Sequence, residues 1–309
     1  MPGTFIAGDW GTTHGRFWLI ENGRIVGDER TAPGIAAFAG DSAAIAAAFD
    51  DAVAGWSPAI PAVLCGMAGA SIGWRDAGYR ACPAPIETLG DTTLRFTHRG
   101  RNIAILPGLK CRNIAGLVDV MRGEETQIAG VVELTGLQEA VISLPGTHNK
   151  WAIVTGGAVQ HFHTALTGEL FALLADHSIL MRGAARDAVP GDPFRTAVCR
   201  VRDNPPIGIE SMLFATRAEQ LVGGLLADDA ASFVSGLLIG ADVRSALTMI
   251  ATPPEVPVHL VCNEALAALY AAAIAEFGRT SVQLEGSSAV LAGLITAADQ
   301  VFAVPSPNR

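Results

Sequence analysis

Asp9-Trp10-Gly11-Thr12-Thr13-His14-Gly15-Arg16 is the stretch whose reading decides how this chain folds. Ahead of it, Thr4-Phe5-Ile6-Ala7-Gly8 is apolar and β-compatible, which predicts a buried strand ending at a sharp turn. Behind it, Arg16-Phe17-Trp18-Leu19-Ile20-Glu21 predicts a second strand. Asn22-Gly23 then predicts a hairpin turn, and Arg24-Ile25-Val26-Gly27 a returning strand. Gly11 and Gly15 permit close approach, so consecutive backbone N–H groups can converge on an anion, with the Thr12 and Thr13 hydroxyls as further donors. Asp9 can hold a magnesium ion through its waters. Strand, turn and hairpin together read as a phosphate-binding loop.

The other half of the chain carries a second copy. Ala140-Val141-Ile142-Ser143-Leu144 is another apolar run, and it ends in Pro145-Gly146-Thr147-His148-Asn149-Lys150. Trp151 to Thr155 predicts a strand, Gly156-Gly157 a two-residue turn, and Ala158 to Phe162 the return. Gly-Thr, a base, an aromatic strand, a turn and a strand recur in one order. That repeat implies two similar domains, each offering a hairpin to one nucleotide.

At 309 residues the chain is long enough for two domains with substantial cores. Half of it is apolar and few residues are charged, so a globular protein is expected. A net charge of -9 and a pI near 5.2, with no basic run, argue against a nucleic-acid surface. Local positive groups must then hold any anionic substrate. Cys65, Cys82, Cys111, Cys199 and Cys262 are scattered, form no Cys-x-x-Cys pair, and read as buried small residues in a reducing compartment. No basic n-region or cleavage site opens the chain. Trp151 to Gly168 is uncharged, but Gly156-Gly157, Gln160 and two histidines make it a hairpin and not a membrane span. A cytoplasmic protein with no membrane or nucleic-acid partner is expected, and homo-oligomer formation is left open.

Between the hairpins, Asp41 predicts the cap of an alanine-rich helix running through Trp56, with Ile45, Phe49 and Val53 on one face. Pro61 to Cys65 is a short buried strand that opens onto the glycine-dense loop Gly66 to Arg75. Proteins of the α/β class gather ligands after strands, so Gly69, Ser71, an exposed Trp74 and Arg75 are candidate substrate contacts. Asn102 to Gly108 is a further strand and turn. Gly123-Glu124-Glu125 suits a loop entering a helix, its acids either favouring the first turn or supplying a general base beside the phosphate loops. Thr167 is expected to cap a helix ending near His177, and Arg182 to Pro206 to be a surface excursion. Gly236 and Gly240 should let an Ala/Leu-rich helix pack closely. Pro257 to Cys262 leads through Asn263-Glu264 into a helix ended by Gly278, a unit suited to a nucleotide base. Thr280 to Leu284 is one more strand, Ala289 to Val301 the last helix, and Pro305 to Arg309 a tail.

Taken in this order, the motifs resemble the actin-like ATPase superfamily, and within it the 2-dehydro-3-deoxygalactonokinase family. The resemblance is carried by Asp9 to Thr13, Gly66-Met67-Ala68-Gly69, Gly73-Trp74, Met121 to Gln127 and Pro145 to Trp151. Leu166 to Leu170 and Ser235 to Ala241 continue it, so that it covers nearly the whole chain. It implies an α/β fold of two actin-like (ribonuclease H-like) domains, 1–133 and 134–309, each a mixed β-sheet flanked by helices, with an inter-domain cleft. It further implies transfer of phosphate from ATP, with Mg2+, to the 6-hydroxyl of 2-dehydro-3-deoxy-D-galactonate. By position, Asp9, Gly11, Thr12 and Thr13 would cradle the phosphates and magnesium from one side, and Gly146, Thr147 and His148 from the other. Glu124-Glu125 occupies the place where related sugar kinases put a catalytic Asp after a Gly, which leaves open which glutamate reaches the hydroxyl. The adenosine motif is usually glycine-rich but reads Val261-Cys262-Asn263-Glu264 here, so only its location carries over.

Phosphoryl transfer needs an in-line acceptor, charge neutralisation and exclusion of water, which two closing domains can supply. Glu124 or Glu125 is expected to take the hydroxyl proton. The sugar acid's carboxylate wants a fork-shaped donor, for which Arg75 and Arg122 are candidates, whereas Lys150 is expected at phosphate. A kinase for another sugar or deoxy sugar acid is the same-class alternative. An actin-like or chaperone-like conformational ATPase is the different-class one, and it fits poorly with the lack of long insertions or an attached peptide-binding domain. Neither a Walker nor a Rossmann glycine signature is present.

Overall fold

In the computed structural model of the protein, the described residues are 3–27, 29–182, 187–250 and 253–302. The tail at 305–309 and residues 183–186 of the expected surface excursion lie outside them. β1 (Thr4–Trp10) and β2 (His14–Glu21) form the first antiparallel pair, and β3 (Arg24–Ile25) returns through Asn22-Gly23, both at positive φ. β4 (Arg30–Pro33) also pairs with β2. After helix α1 (Ser42–Ala52), β5 (Ala62–Gly66) runs parallel to β1. β6 (Tyr79–Ala81), β7 (Ala84–Pro85), β8 (Leu94–His98), β9 (Arg101–Ile105), β10 (Gly108–Arg112) and β11 (Val118–Met121) lead to helix α2 (Glu124–Thr135). The first sheet has the order β3-β2-β1-β5-β9-β8, and β11-β10-β6 makes a small sheet of its own.

The second half repeats the plan. β12 (Ala140–Leu144), β13 (Asn149–Thr155) and β14 (Ala158–Ala165) form the hairpin read from the sequence. Helices α3 (Thr167–His177), α4 (Asp192–Asp203), α5 (Ile209–Ala218) and α6 (Ala230–Met249) follow. The chain then runs through β15 (Val258–Val261), α7 (Glu264–Glu276), β16 (Ser281–Leu284) and α8 (Gly286–Phe302), giving the sheet order β16-β15-β12-β13-β14-β7. In each sheet the strand before the turn pairs antiparallel with its successor and parallel with a later strand, β1 with β5 and β12 with β15.

Three local expectations need correction. Asp41 does accept from the N–H groups of Ala43 and Ala44, at 2.9 and 3.1 Å, but α1 ends at Ala52 rather than Trp56. The chain leaves the helix at Val53, and Gly55 takes a left-handed φ of 87°. Thr167 does not cap α3; it is the first helical residue, and its hydroxyl is spent on Asp242. The supposed surface excursion contains α4, with Pro193 in the first turn and Phe194, Ala197, Val198 and Val201 buried at helical spacing. That stripe packs on α6, where a Cβ on Gly236 would run into the Phe194 carbonyl and one on Gly240 would meet Val198 Cα at 3.2 Å. The 227–249 helical stretch is long and apolar enough to cross a bilayer, yet 78% of its most apolar window is buried in the fold, so α6 is a core helix.

Each sheet is covered on both faces, and the halves trade helices to do it. α1 lies on one face of the first sheet, Ile45 and Phe49 against Ile6, Trp10, Phe17 and Leu64. The other face is covered by α8 from the chain's end, Val290, Leu294 and Ala298 against Phe5, Ala7 and Val63. The second sheet takes α2 on one face, Ile128 and Val131 against Ile142, Ala152 and Phe162, and β7 at its edge. Its opposite face takes α6 and α7, Ile239 and Tyr270 against Val141, Trp151 and Leu260. Where α2 crosses α8 the backbones nearly touch. A Cβ on Gly130 would run into the Ala289 carbonyl, and one on Gly293 into the Thr126 carbonyl. Gly293→Ala should therefore destabilise the fold by about 1–3 kcal/mol through overpacking. A urea titration would show a lower midpoint at unchanged slope; an unchanged midpoint would mean that the helices have room to part.

Candidate active site

The first turn is seated by its carbonyls. Ile35 N–H donates to Gly11 O (3.1 Å), Ala36 N–H to Thr12 O (3.1 Å) and Gly34 N–H to Thr13 O (2.9 Å). A trans peptide points its N–H opposite to its C=O. The amides of Thr12 and Thr13 are therefore turned away from the seat, on residues that stand exposed. Gly34 is required there, since a Cβ would collide with the Thr12 and Thr13 backbone. Asp9 sits opposite Arg16 in the β1–β2 register and accepts from its Nη2 at 2.7 Å. Burial works against the Arg16 charge, but the hydrogen bond and charge of Asp9, helped by Glu29 and Glu285, raise its pKa overall. Among the described residues the second Asp9 oxygen has only the Cys65 Sγ, at 3.7 Å, and a Cβ on Gly66 would stand 3.6 Å from it.

Gly66 (φ 79°) and Gly123 (φ 102°) meet back to back, a Cβ on Gly123 coming to 3.3 Å from Gly66 Cα. Helix α2 begins at that junction, and its two glutamates reach back to the N–H groups of the two residues just ahead of it. Glu124 Oε2 accepts from Arg122 N (2.9 Å), while Glu125 accepts from Gly123 N (2.7 Å) and from Thr126 Oγ1 (3.0 Å). Glu125 is 1% exposed, and burial together with the charge of Glu124 pushes its carboxyl up to about 8. Glu124 is half-buried; burial raises it as well, opposed mainly by the charge of Lys150, with His148 helping. Burial drives the Cys65 thiol far up, with the charges of Asp9 and Glu125 adding to it. Glu124 thus feels Lys150 and His148 at the second turn, while Glu125 acts on Cys65, the neighbour of Asp9.

Arg122 and Gly69 are brought together. The guanidinium lies 4.3 Å over the Tyr79 ring and donates from Nη2 to Gly78 O at 2.8 Å, and a Cβ on Gly69 would stand 2.8 Å from Nη1. Its Nε and Nη1 are buried and have no partner among the described residues. Arg75 stands apart, exposed and stacked 4.1 Å over Phe96. Trp74 is not the exposed residue that was expected. The loop folds back so that Trp74 N–H donates to Ala68 O (2.9 Å), and the ring is 4% exposed among Phe49, Phe96 and His98. It is a core residue, while Ser71 is exposed.

The second turn presents Gly146, Thr147 and His148 to solvent. It rests on the start of α3, where Glu169 N–H donates to Thr147 O (2.9 Å) and a Cβ on Gly168 would run into the Gly146 carbonyl. His148 Nε2 lies 2.6 Å from Glu169 Oε2. Lys150, expected at phosphate, is instead 6% exposed, its ammonium donating to Val120 O and Thr164 Oγ1, each at 2.8 Å. Cys262 is likewise packed into the core, and burial pushes its thiol up to about 11. Asn263 is exposed, but its Oδ1 accepts from Leu266 N (3.0 Å) and caps α7.

Sequence reading missed Asp242. It is 5% exposed in the middle of α6 and accepts from Asn149 Nδ2 (2.9 Å), Thr167 Oγ1 (2.8 Å), Tyr270 Oη (2.7 Å) and Trp151 Nε1 (2.8 Å). The signal available was a single acid in the apolar run Phe233 to Val243, which a core does not tolerate unpaired.

Two sheets on one plan, each presenting an exposed hairpin turn, are the architecture of an actin-like sugar kinase. A family model described as 2-keto-3-deoxy-galactonokinase matches residues 9–297. The chain is 37% identical to the probable 2-dehydro-3-deoxygalactonokinase DgoK1 of Rhizobium meliloti (strain 1021), over 97% of this chain and 98% of that one. It is 33% identical to the 2-dehydro-3-deoxygalactonokinase of Escherichia coli (strain K12), over 97% and 99%. A crystal structure from Sinorhizobium meliloti, presented as a candidate 2-dehydro-3-deoxygalactonokinase, superposes with a TM-score of 0.88 at 35% identity, over 97% of this chain and 100% of that one. The chain belongs to the 2-keto-3-deoxy-galactonokinase family.

The Glu125 environment generates a pH prediction. Its carboxyl titrates near 8 in the fold against an ordinary value of 4.5, so between those values the folded chain keeps a proton that the unfolded chain has lost. Stability then falls as pH rises through that window. Glu125→Gln, which can keep the Gly123 and Thr126 hydrogen bonds as the neutral acid does, should gain on the parent in urea melts between about pH 5 and about pH 9. Parallel stability curves would show that Glu125 ionises normally in the fold.

Proposed function

We propose that the protein transfers the γ-phosphoryl group of ATP to the 6-hydroxyl of 2-dehydro-3-deoxy-D-galactonate, with 1–133 and 134–309 supplying one phosphate turn each. The observation that carries this reading is the α2 start. Within a few residues it carries a half-buried carboxylate, Glu124, in the field of Lys150 and His148, and an arginine, Arg122, two of whose nitrogens have no partner among the described residues. The names of both curated relatives support the substrate. The five cysteines are unbridged, which suits a reducing, cytoplasmic setting.

The exposed amides and hydroxyls of Thr12 and Thr13 hold phosphate oxygens from one side, and Gly146, Thr147 and His148 do so from the other. Asp9 fits a magnesium ion on its less-occupied oxygen, in a cradle kept open by Gly66. Among the described residues no group of three or more His, Cys, Asp or Glu could hold a metal, so the remaining ligands come from phosphate and water. When bound, the ion neutralises charge on the phosphates during transfer. Arg122, whose Nε and Nη1 have no partner among the described residues, supplies the positive charge for the sugar acid's carboxylate, with Gly69 leaving it room. Glu124 is the base: one of its oxygens is taken by Arg122 N–H, the other takes the hydroxyl proton. The bond from O6 to phosphorus forms as the bridging P–O bond to ADP breaks. Glu125, neutral at pH 7, leaves Glu124 as the anion of the pair.

ADP release measured by a coupled assay across a panel of sugar acids tests the reaction. Release dependent on the 2-keto-3-deoxy acid is expected, and acceptor-independent release at the same rate would favour a conformational ATPase. Glu124→Gln should lower kcat by about 10²–10⁴-fold with nucleotide affinity intact. Full turnover in that variant would remove the base assignment. Arg122→Ala should raise KM for the sugar acid by about 10–100-fold, the loss of a charged hydrogen bond, and leave KM for ATP nearly unchanged. Equal loss for both ligands would point to a folding defect in that variant.

A further inference from the structure

We propose that Asp242 is a positioning residue for the second phosphate turn, locking Pro145 to His148 into its presented shape from the opposite side of the sheet. The inference rests on the reading of that turn as a phosphate holder. Asn149 is the first residue after the turn, and its amide is committed at both ends: Nδ2 to Asp242, Oδ1 to the Ser143 hydroxyl at 3.1 Å on the strand that enters the turn. The two flanks are thereby tied to each other and to α6. Thr167, the first residue of α3, donates to the same Asp242 oxygen, and the next two residues of α3 carry the turn itself, Gly168 under the Gly146 carbonyl and Glu169 N–H on Thr147 O. Tyr270 brings in α7, the helix that follows the adenosine location. One carboxylate therefore fixes the turn, the helix beneath it and the helix of the nucleotide's other end.

The chemistry of the site favours positioning over simple cohesion. All four partners are neutral donors, and Trp151 Nε1 can only donate, so Asp242 must accept. Apolar side chains of similar volume would fill the same space at less desolvation cost. What they could not do is hold the Asn149 amide and the Thr167 hydroxyl in one orientation.

The test compares Asp242→Asn, Tyr270→Phe and Thr147→Val in the full-length enzyme, reading KM for each substrate, the Kd of Mg-ATP by calorimetry, and the melting temperature. Asp242→Asn should raise KM and Kd for ATP about tenfold, equivalent to about 1.4 kcal/mol, with KM for the sugar acid within about twofold of the parent. Tyr270→Phe leaves the carboxylate in place and removes one donor, so it should show the same split at smaller size, and it decides the matter if Asp242→Asn does not fold. The proposal is overturned if ATP affinity is unchanged in the folded variants, or if affinity for both ligands falls in proportion. Thr147→Val separates the two readings. Loss of ATP affinity in Thr147→Val alone would sink the role of Asp242 and keep the turn. Unchanged affinity in Thr147→Val would sink the turn itself, and with it the basis of the inference.

Discussion

Helices α2 and α8 approach with a glycine on each side, Gly130 beneath the Ala289 carbonyl and Gly293 beneath the Thr126 carbonyl, and this near-contact sets the geometry of everything around the cleft. α2 belongs by packing to the second sheet and α8 to the first, so the crossing is also where each half holds the other. Any larger residue at the crossing would displace the α2 start, and with it Arg122, Glu124 and Glu125. Gln127 adds a hydrogen bond of 3.4 Å to Gly286 O, which ties the first turn of α2 to the start of α8. The proposed base and carboxylate ligand thus rest on a helix whose position is set by close backbone contact.

Electrostatics at the crossing follow from that placement. A helix start offers unpaired N–H groups and a positive end, and here two consecutive glutamates answer both. Their inequality is imposed by depth. Glu125 points into the core against Thr126 and cannot shed its proton cheaply, whereas Glu124 shares the field of Lys150 and His148. Lys150 acts at a distance, because its own hydrogen bonds go to Val120 O and Thr164. Across the junction Asp9 is balanced by Arg16. The cleft carries several acids, yet each has a local partner, which is how a chain of net charge -9 can hold an anionic substrate.

The two turns are alike in plan and differ in support. The first is seated by three carbonyl-to-amide bonds from residues 34–36, all backbone. The second has, among the described residues, one such bond, from Glu169, and is supported by side chains, with Asn149 and Thr167 converging on Asp242. A backbone seat tolerates sequence change in its own side chains; a side-chain seat does not.

Local chemistry determined much of this protein. Apolar runs ending in Asp9 to Arg16 and in Pro145 to Lys150 specified the paired hairpins, because alternation and glycine turns act within a few residues. Gly123-Glu124-Glu125 announced a helix start, and Gly236 and Gly240 a close helix contact, for the same reason. Tertiary structure alone decided what depends on partners distant in the chain. Trp74 sits in a loop that reads as exposed, but rings from elsewhere cover it. Arg122 is enclosed by Gly69, Gly78 and Tyr79, which leaves two of its nitrogens buried without a partner among the described residues, whereas Arg75 lies exposed over Phe96. Asp242 acquires its part from Asn149, Trp151, Thr167 and Tyr270, residues 28 to 93 positions away along the chain, and no local pattern can encode a meeting of that kind.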